Sequence, residues 1–193
     1  MKSRINKCIA SSVESHTRVL KDVNLQENIE KIVKKSIAAF KSDKKMLLCG
    51  NGGSASDAQH IAAELSGRFY SDRPPLYAEA LHVNSSYITA VANDYGYEST
   101  YARMVEAAGR EGDVFIGIST SGNSPNVVNA MKKAKEIGML TVGFIGKDGG
   151  KMKEICDIMI CIPSKDTPRI QEAHILVGHI ICQLIEEEMF PNA

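Results

Sequence analysis

The chain has 193 residues, 44% of them apolar, with 23 basic and 23 acidic side chains. That length and apolar content suit a single domain, residues 1–193, with a proper core, and they exclude a disordered chain. Zero net charge without a long basic run argues against a nucleic-acid surface, and no apolar run nears the ~20 residues of a membrane span.

Five cysteines (Cys8, Cys49, Cys156, Cys161 and Cys182) are odd in number, contain no CxxC pair and mostly sit in apolar runs. Buried free thiols in a reducing, cytoplasmic setting are the expectation. The amino-terminal stretch is polar and helical in pattern, not an apolar leader.

Residues 1–42 read as two amphipathic helices. Ile5, Cys8, Ile9, Val13, His16 and Leu20 form one stripe, and Ile29, Ile32, Val33, Ile37 and Phe40 form the next. Asp22-Val23-Asn24 is the joint, with Asn24 as the expected cap. Both helices precede the first strand, so they are not crossovers. Their stripes need a partner, either the body of the domain or another subunit.

Met46-Leu47-Leu48-Cys49 is a short buried strand. Gly50-Asn51-Gly52-Gly53 then turns the chain into a helix opened by Ser54, Ser56 and Asp57. The helix should run to about Phe69 or Tyr70, where Ser71-Asp72-Arg73-Pro74-Pro75 breaks it. A second strand is expected over 76–83. Helices are expected over 85–93 and 97–108, around a kink at Asn93-Asp94-Tyr95-Gly96.

Val114 to Ile118 reads as the third strand. The polar loop Ser119-Thr120-Ser121-Gly122-Asn123-Ser124 follows and opens a helix at Pro125 that ends at Gly138. Strands are expected over 140–145 and 157–162, with a short helix between them. A long apolar helix over 169–189 closes the chain. Strand and helix alternate from residue 46 onward. That pattern specifies an α/β fold: a five-stranded parallel sheet with helices on both faces, a flavodoxin- or Rossmann-like three-layer domain behind an N-terminal helical pair. Ligands of such sheets sit at the carboxyl ends of the strands, near a topological switch point.

Gly50-x-Gly52-x-x-Ala55 fits the dinucleotide fingerprint, but neither Glu79 nor Asp72 is well placed to hold a ribose, and no G-K-[ST] follows. His60 and Glu64 lie one helical turn apart on one face. The apolar neighbours Ile61, Ala62, Ala63 and Leu65 make Glu64 a functional carboxylate rather than a solvated one. The loop at 119–124 carries four hydroxyls at a helix N-terminus, where capping needs one, and so suits a phosphate monoester. His179 sits in the very apolar segment 175–181, where it needs a polar partner. Helical periodicity aligns Glu172 with His179 and leaves Gln171 about 80° away. His174 takes a packing or interface role. His16 and His82 carry no motif.

The stretches GNGGSASDAQHIAAEL, ANDYGYE, GISTSGNSPNV and RIQEAHILVGHIICQLIE together resemble the SIS (sugar isomerase) domain family, and within it the phosphoheptose isomerases. The likeness covers nearly the whole chain. It implies interconversion of sedoheptulose 7-phosphate and D-glycero-D-manno-heptose 7-phosphate, the first step to the nucleotide-activated heptoses of bacterial surface polysaccharide. It also implies a cytoplasmic homotetramer with active sites between subunits. By the resemblance Ser119, Thr120, Ser121 and Ser124 hold the phosphate, and Asn51, Gly52, Gly53, Ser54, Asn93 and Asp94 contact the sugar. Glu64 and His179 form the catalytic pair. His60, Glu64, Gln171 and His179 are the positions at which some members hold zinc, with Gln171 and Glu64 also touching substrate.

The chemistry agrees. Ketose–aldose isomerisation needs a base over C1 and C2 and an acid near the carbonyl oxygen, with no organic cofactor. Two alternatives stand beside it. One is a non-catalytic SIS protein that binds a replication initiator, but that relative lacks a histidine matching His179. The other is a regulatory module sensing a sugar phosphate, for which this length leaves no second domain.

Overall fold

The computed structural model describes residues 1–146 and 148–192. Five parallel strands stand in the order β2-β1-β3-β4-β5: β1 Met46–Gly50, β2 Ala78–Ala80, β3 Val114–Ser119, β4 Leu140–Gly146 and β5 Ile158–Ile162. After β1 the chain steps outward to β2, then returns to place β3 on the other side of β1. The topological switch point therefore lies between β1 and β3, where the two loops singled out above leave the sheet.

Side chains alternate along the central strands and feed two cores. Met46, Leu48, Ile116, Ile118, Val142 and Phe144 point to one face; Leu47, Cys49, Phe115 and Ile145 point to the other. Helices α2 (Val23–Lys41), α3 (Gly53–Ser66) and α7 (Thr167–Met189) cover the first face. Helices α5 (Thr100–Ala108) and α6 (Pro125–Ile137) cover the second. The three-layer α/β expectation is met. All five cysteines are free, but only Cys49 and Cys182 are buried; Cys8 is exposed on α1, and Cys156 and Cys161 are half-buried at the edge of the sheet. Among the described residues no helix is long and apolar enough to cross a membrane.

The N-terminal pair is α1 (Lys2–Lys21) and α2. The cap between them is Asp22, not Asn24: its carboxylate accepts from the Leu25 N–H at 3.0 Å, and the chain is already helical from Val23. Leu25, Ile29, Ile32 and Val33 are buried, so α2 spends its stripe on the domain. Helix α1 lies against α7 through polar contacts instead. Ser12 Oγ donates to Glu172 Oε2 at 2.7 Å, and Arg169 donates to the Cys8 carbonyl at 2.6 Å. Its apolar stripe points outward, with Ile5, Ile9, Val13 and Leu20 all more than half exposed.

Two element boundaries fall short of expectation. Helix α3 stops at Ser66 because the backbone N–H groups of Phe69, Tyr70 and Ser71 are taken by the Glu186 carboxylate of α7. Strand β2 has three residues rather than eight. The Leu76 N–H bonds to the Leu65 carbonyl of α3 instead of joining the ladder on one side, and a turn from Ala80 to Val83 ends it on the other. The helix after β2, α4 (Ser85–Tyr95), runs two residues past Asn93 and breaks at Gly96, which holds φ at 85°.

Candidate active site

The glycine turn after β1 is tight. A Cβ on Gly50 would lie 2.4 Å from the Ser54 carbonyl oxygen, so only glycine lets the chain fold back into α3 here. The N–H groups of Ser54, Ala55 and Ser56 bond to the Asn51 and Gly52 carbonyls. The opening turn of α3 thus satisfies most of its own donors.

One turn further, His60 Nε2 lies 2.9 Å from Glu64 Oε1. His179 reaches the same place from α7, its ring 5.0 Å from the His60 ring and at 73° to it. Gly178 favours this crossing: a Cβ there would meet the Ile61 side chain at 2.5 Å, so any larger residue would force Ile61 to move for α7 to come this close to α3. One donor atom from each of His60, Glu64 and His179 lies within 4.8 Å of the others, a group able to chelate a metal ion. The Glu64 side chain is 21% exposed, half-withdrawn but reachable from solvent.

The loop after β3 gathers hydroxyls. Ser119 Oγ lies 2.9 Å from Ser124 Oγ and 3.4 Å from Ser121 Oγ, with Thr120 half-buried between Ser119 and Ser121. Ser124 is the N-cap of α6, yet its hydroxyl caps nothing. It faces Ser119 instead. The Asn126 side chain takes over part of the capping by accepting the Val127 N–H at 3.0 Å. Three convergent hydroxyls at a helix start, none spent on the helix, make an anion cradle.

A side-chain clasp joins the two loops across the switch point. Asn51 and Asn126 exchange two amide hydrogen bonds, both 2.9 Å, and the Tyr97 hydroxyl donates to Asn51 Oδ1 at 3.0 Å. Both lone pairs of that oxygen are used. Tyr97 and Asn126 lie within the ANDYGYE and GISTSGNSPNV stretches, but the sequence assigns neither a role in the site. By sequence Asp57 is only a first-turn residue of α3. It lies one turn before His60, one of its carboxylate oxygens is buried without a partner, and burial pushes its carboxyl up to about 6 against the pull of nearby His60.

The remaining expected residues divide. Gln171 lies over the glycine turn: its side-chain nitrogen is 2.6 Å from where a Cβ on Gly53 would stand. Glu172, favoured by periodicity, turns away to Ser12 and Arg169. Gly52 is exposed at the turn and Ser54 is buried behind it. Asn93 and Asp94 sit at the exposed end of α4, bonded to each other at 2.9 Å and a few residues before Tyr97. His174 is fully buried, with Nε2 3.1 Å from the Ile145 carbonyl oxygen, as its packing role requires.

The site therefore holds a carboxylate and two imidazoles at one end and a hydroxyl cradle at the other. That suits proton transfer on a small phosphorylated polyol.

A sequence profile described as "SIS domain" matches residues 12–146. The phosphoheptose isomerase of Clostridium acetobutylicum is 56% identical over 190 residues, covering 98% of this chain and 97% of its own. The solved phosphoheptose isomerase of Neisseria gonorrhoeae superposes with a TM-score of 0.91 at 40% identity, covering 96% of this chain and 98% of its own. That of Francisella tularensis gives 0.92 at 34% identity, covering 96% and 97%. With a matching profile over most of its length and such relatives end to end, the chain belongs to the phosphoheptose isomerase family of SIS-domain proteins.

Proposed function

We propose that this isomerase converts sedoheptulose 7-phosphate to D-glycero-D-manno-heptose 7-phosphate by proton transfer between C1 and C2, supplying heptose for a bacterial surface polysaccharide from the cytoplasm. The observation that carries the reading is the meeting of Glu64, on the helix that leaves the glycine turn, with His179 of α7, across the switch point from the serine cradle.

Ser119, Thr120, Ser121 and Ser124 hold the phosphate. Asn51, Gly52, Gly53, Ser54, Asn93, Asp94 and Gln171 border the sugar. Glu64 takes a proton from C1 as the C1–C2 double bond forms, and the C2 oxygen receives a proton from His179. The proton on O1 then leaves to His179, C1 becomes the aldehyde carbon, and Glu64 returns its proton to C2. The net change is one hydrogen moved from C1 to C2 and one from O1 to O2.

Two imidazole nitrogens, a carboxylate oxygen and the amide of Gln171 are a donor set that fits zinc. His60, Glu64, Gln171 and His179 would hold it, and its chemistry there would be to stabilise negative charge on the substrate oxygens. The outward apolar stripe of α1 calls for a covering surface, which this reading assigns to another subunit of a homotetramer.

Glu64→Gln tests the assignment. The variant keeps size and fold, and the account expects substrate to bind while turnover falls by about two orders of magnitude or more. Full activity in that variant would remove Glu64 from the mechanism.

A further inference from the structure

Between α3 and β2 the segment 67–75 forms a strap across α7, and its fastening uses a buried charge pair that the chemistry above does not. Arg73 is 7% exposed and Glu186 is 3% exposed. Arg73 Nε donates to Glu186 Oε2 at 3.0 Å. The rest of the guanidinium serves the end of α3: Nη2 donates to the Glu64 carbonyl at 2.7 Å, and Nη1 to those of Leu65 at 2.7 Å and of Gly67 at 3.2 Å. A planar fork with five donors can fill three carbonyls of a helix end and still hold a carboxylate; an ammonium cannot. Glu186 meanwhile accepts the backbone N–H groups of Phe69, Tyr70 and Ser71 at 2.8–3.2 Å. Burial alone would raise the Glu186 carboxyl; those N–H groups and Arg73 outweigh it and hold it below the usual value.

The strap places one side chain in the reacting centre. Phe69 stacks on the His179 ring, centroids 5.8 Å apart and planes at 26°. Glu186 and His179 are seven residues apart on α7 and share a face. One ion pair thus ties together the helix end that bears Glu64, the ring that backs His179, and the helix that bears His179.

We infer that Arg73 and Glu186 are positioning residues for the isomerisation: they fasten the strap so that Phe69 fixes the His179 ring and Glu64 is held at a set distance from it. The inference rests on the reading of Glu64 and His179 as the reacting pair. It assigns no contact with substrate to either charged residue.

The test uses the full-length protein carrying Glu186→Gln, with Phe69→Leu as a second variant that leaves the ion pair intact. Folding is checked by circular dichroism, and rates are referred to folded protein. The ring-proton resonances of His179, assigned with His179→Gln, report stacking by their ring-current shift. In Glu186→Gln those resonances move toward the values of an unstacked imidazole. Its kcat falls about tenfold or more while KM changes by less than about threefold, because the cradle is untouched. Phe69→Leu reproduces the shift and part of the kcat loss. Unmoved His179 resonances with kcat within about twofold of the parent in a folded Glu186→Gln would overturn the inference. If Glu186→Gln does not fold, the same unchanged pair of readings in Phe69→Leu overturns it. Absence of turnover in the parent would contradict the isomerase reading alone, since the resonances still decide the strap.

Discussion

Asn51 shows what single residues contribute beyond their type. Its carboxamide is committed to Asn126 and Tyr97, so it braces the glycine turn against the start of α6. Asn126→Ala removes both amide bonds to Asn51, leaving the half-buried Nδ2 without its acceptor while Oδ1 keeps Tyr97, at about 0.5–1.5 kcal/mol per bond, and loosens one loop against the other. We expect both a lower melting temperature and a weaker kcat/KM; Tyr97→Phe, which removes one of two donors, should show a smaller loss of both. Ser124 is the counter-case. Replacing an N-cap serine that caps typically costs about 1 kcal/mol of stability. Here the hydroxyl faces Ser119, so Ser124→Ala should raise KM about tenfold with thermal stability unchanged. A lowered melting temperature with unchanged KM would return Ser124 to an ordinary capping role. At this scale the sequence showed which residues carry chemistry, because hydroxyl clusters and an i,i+4 His–Glu pair are local patterns. It could not show Tyr97, Asn126 or Arg73, whose partners lie far away in the chain and follow no spacing rule.

Among the elements, α7 carries the most: Gln171 over the glycine turn, His174 in the core, His179 in the centre and Glu186 on the strap. Periodicity read its apolar character correctly but chose Glu172 over Gln171. A broad helix face tolerates an 80° offset when the neighbour is as small as Gly53. The helix also sets a pH dependence. Burial lowers His174 from 6.5 to about 4, despite its bond to the Ile145 carbonyl. The unfolded chain therefore binds a proton at His174 that the native chain refuses between those values. Stability is full above pH 6.5 and is lost as pH falls toward 4, by roughly 3 kcal/mol at most. Asp57 acts in the opposite sense between about 6 and 3.8, where the native chain retains a proton that the unfolded chain releases. Urea titrations of the parent and His174→Gln over that range separate the two. The variant should lose less stability on acidification, and equal slopes would exclude His174. The boundaries of α3 and β2 were misplaced for a related reason. They are decided by Glu186 and by the edge position of β2, which are tertiary facts.

For the whole molecule, alternation of strand and helix was enough to specify a parallel three-layer sheet, and the sheet order then explains the site. Loops after β1 and β3 diverge at the switch point, leaving a crevice with the sugar turn on one lip and the phosphate cradle on the other. Assembly is the least legible level in the sequence, because a stripe records that a face is apolar and not what covers it. Ile5, Ile9, Val13 and Leu20 face outward from α1. If they form the tetramer seam, Ile9→Glu should reduce the mass seen by light scattering to that of a smaller assembly, whereas an unchanged mass would place the seam elsewhere. The central claim is proton transfer on a heptulose phosphate at Glu64. Incubation with sedoheptulose 7-phosphate in D₂O, followed by NMR with and without chelator, tests it most directly. A solvent-reachable Glu64 predicts D-glycero-D-manno-heptose 7-phosphate carrying deuterium at C2. No aldose in either sample, or an aldose whose C2 hydrogen comes wholly from C1 of the substrate with no deuterium, would contradict it.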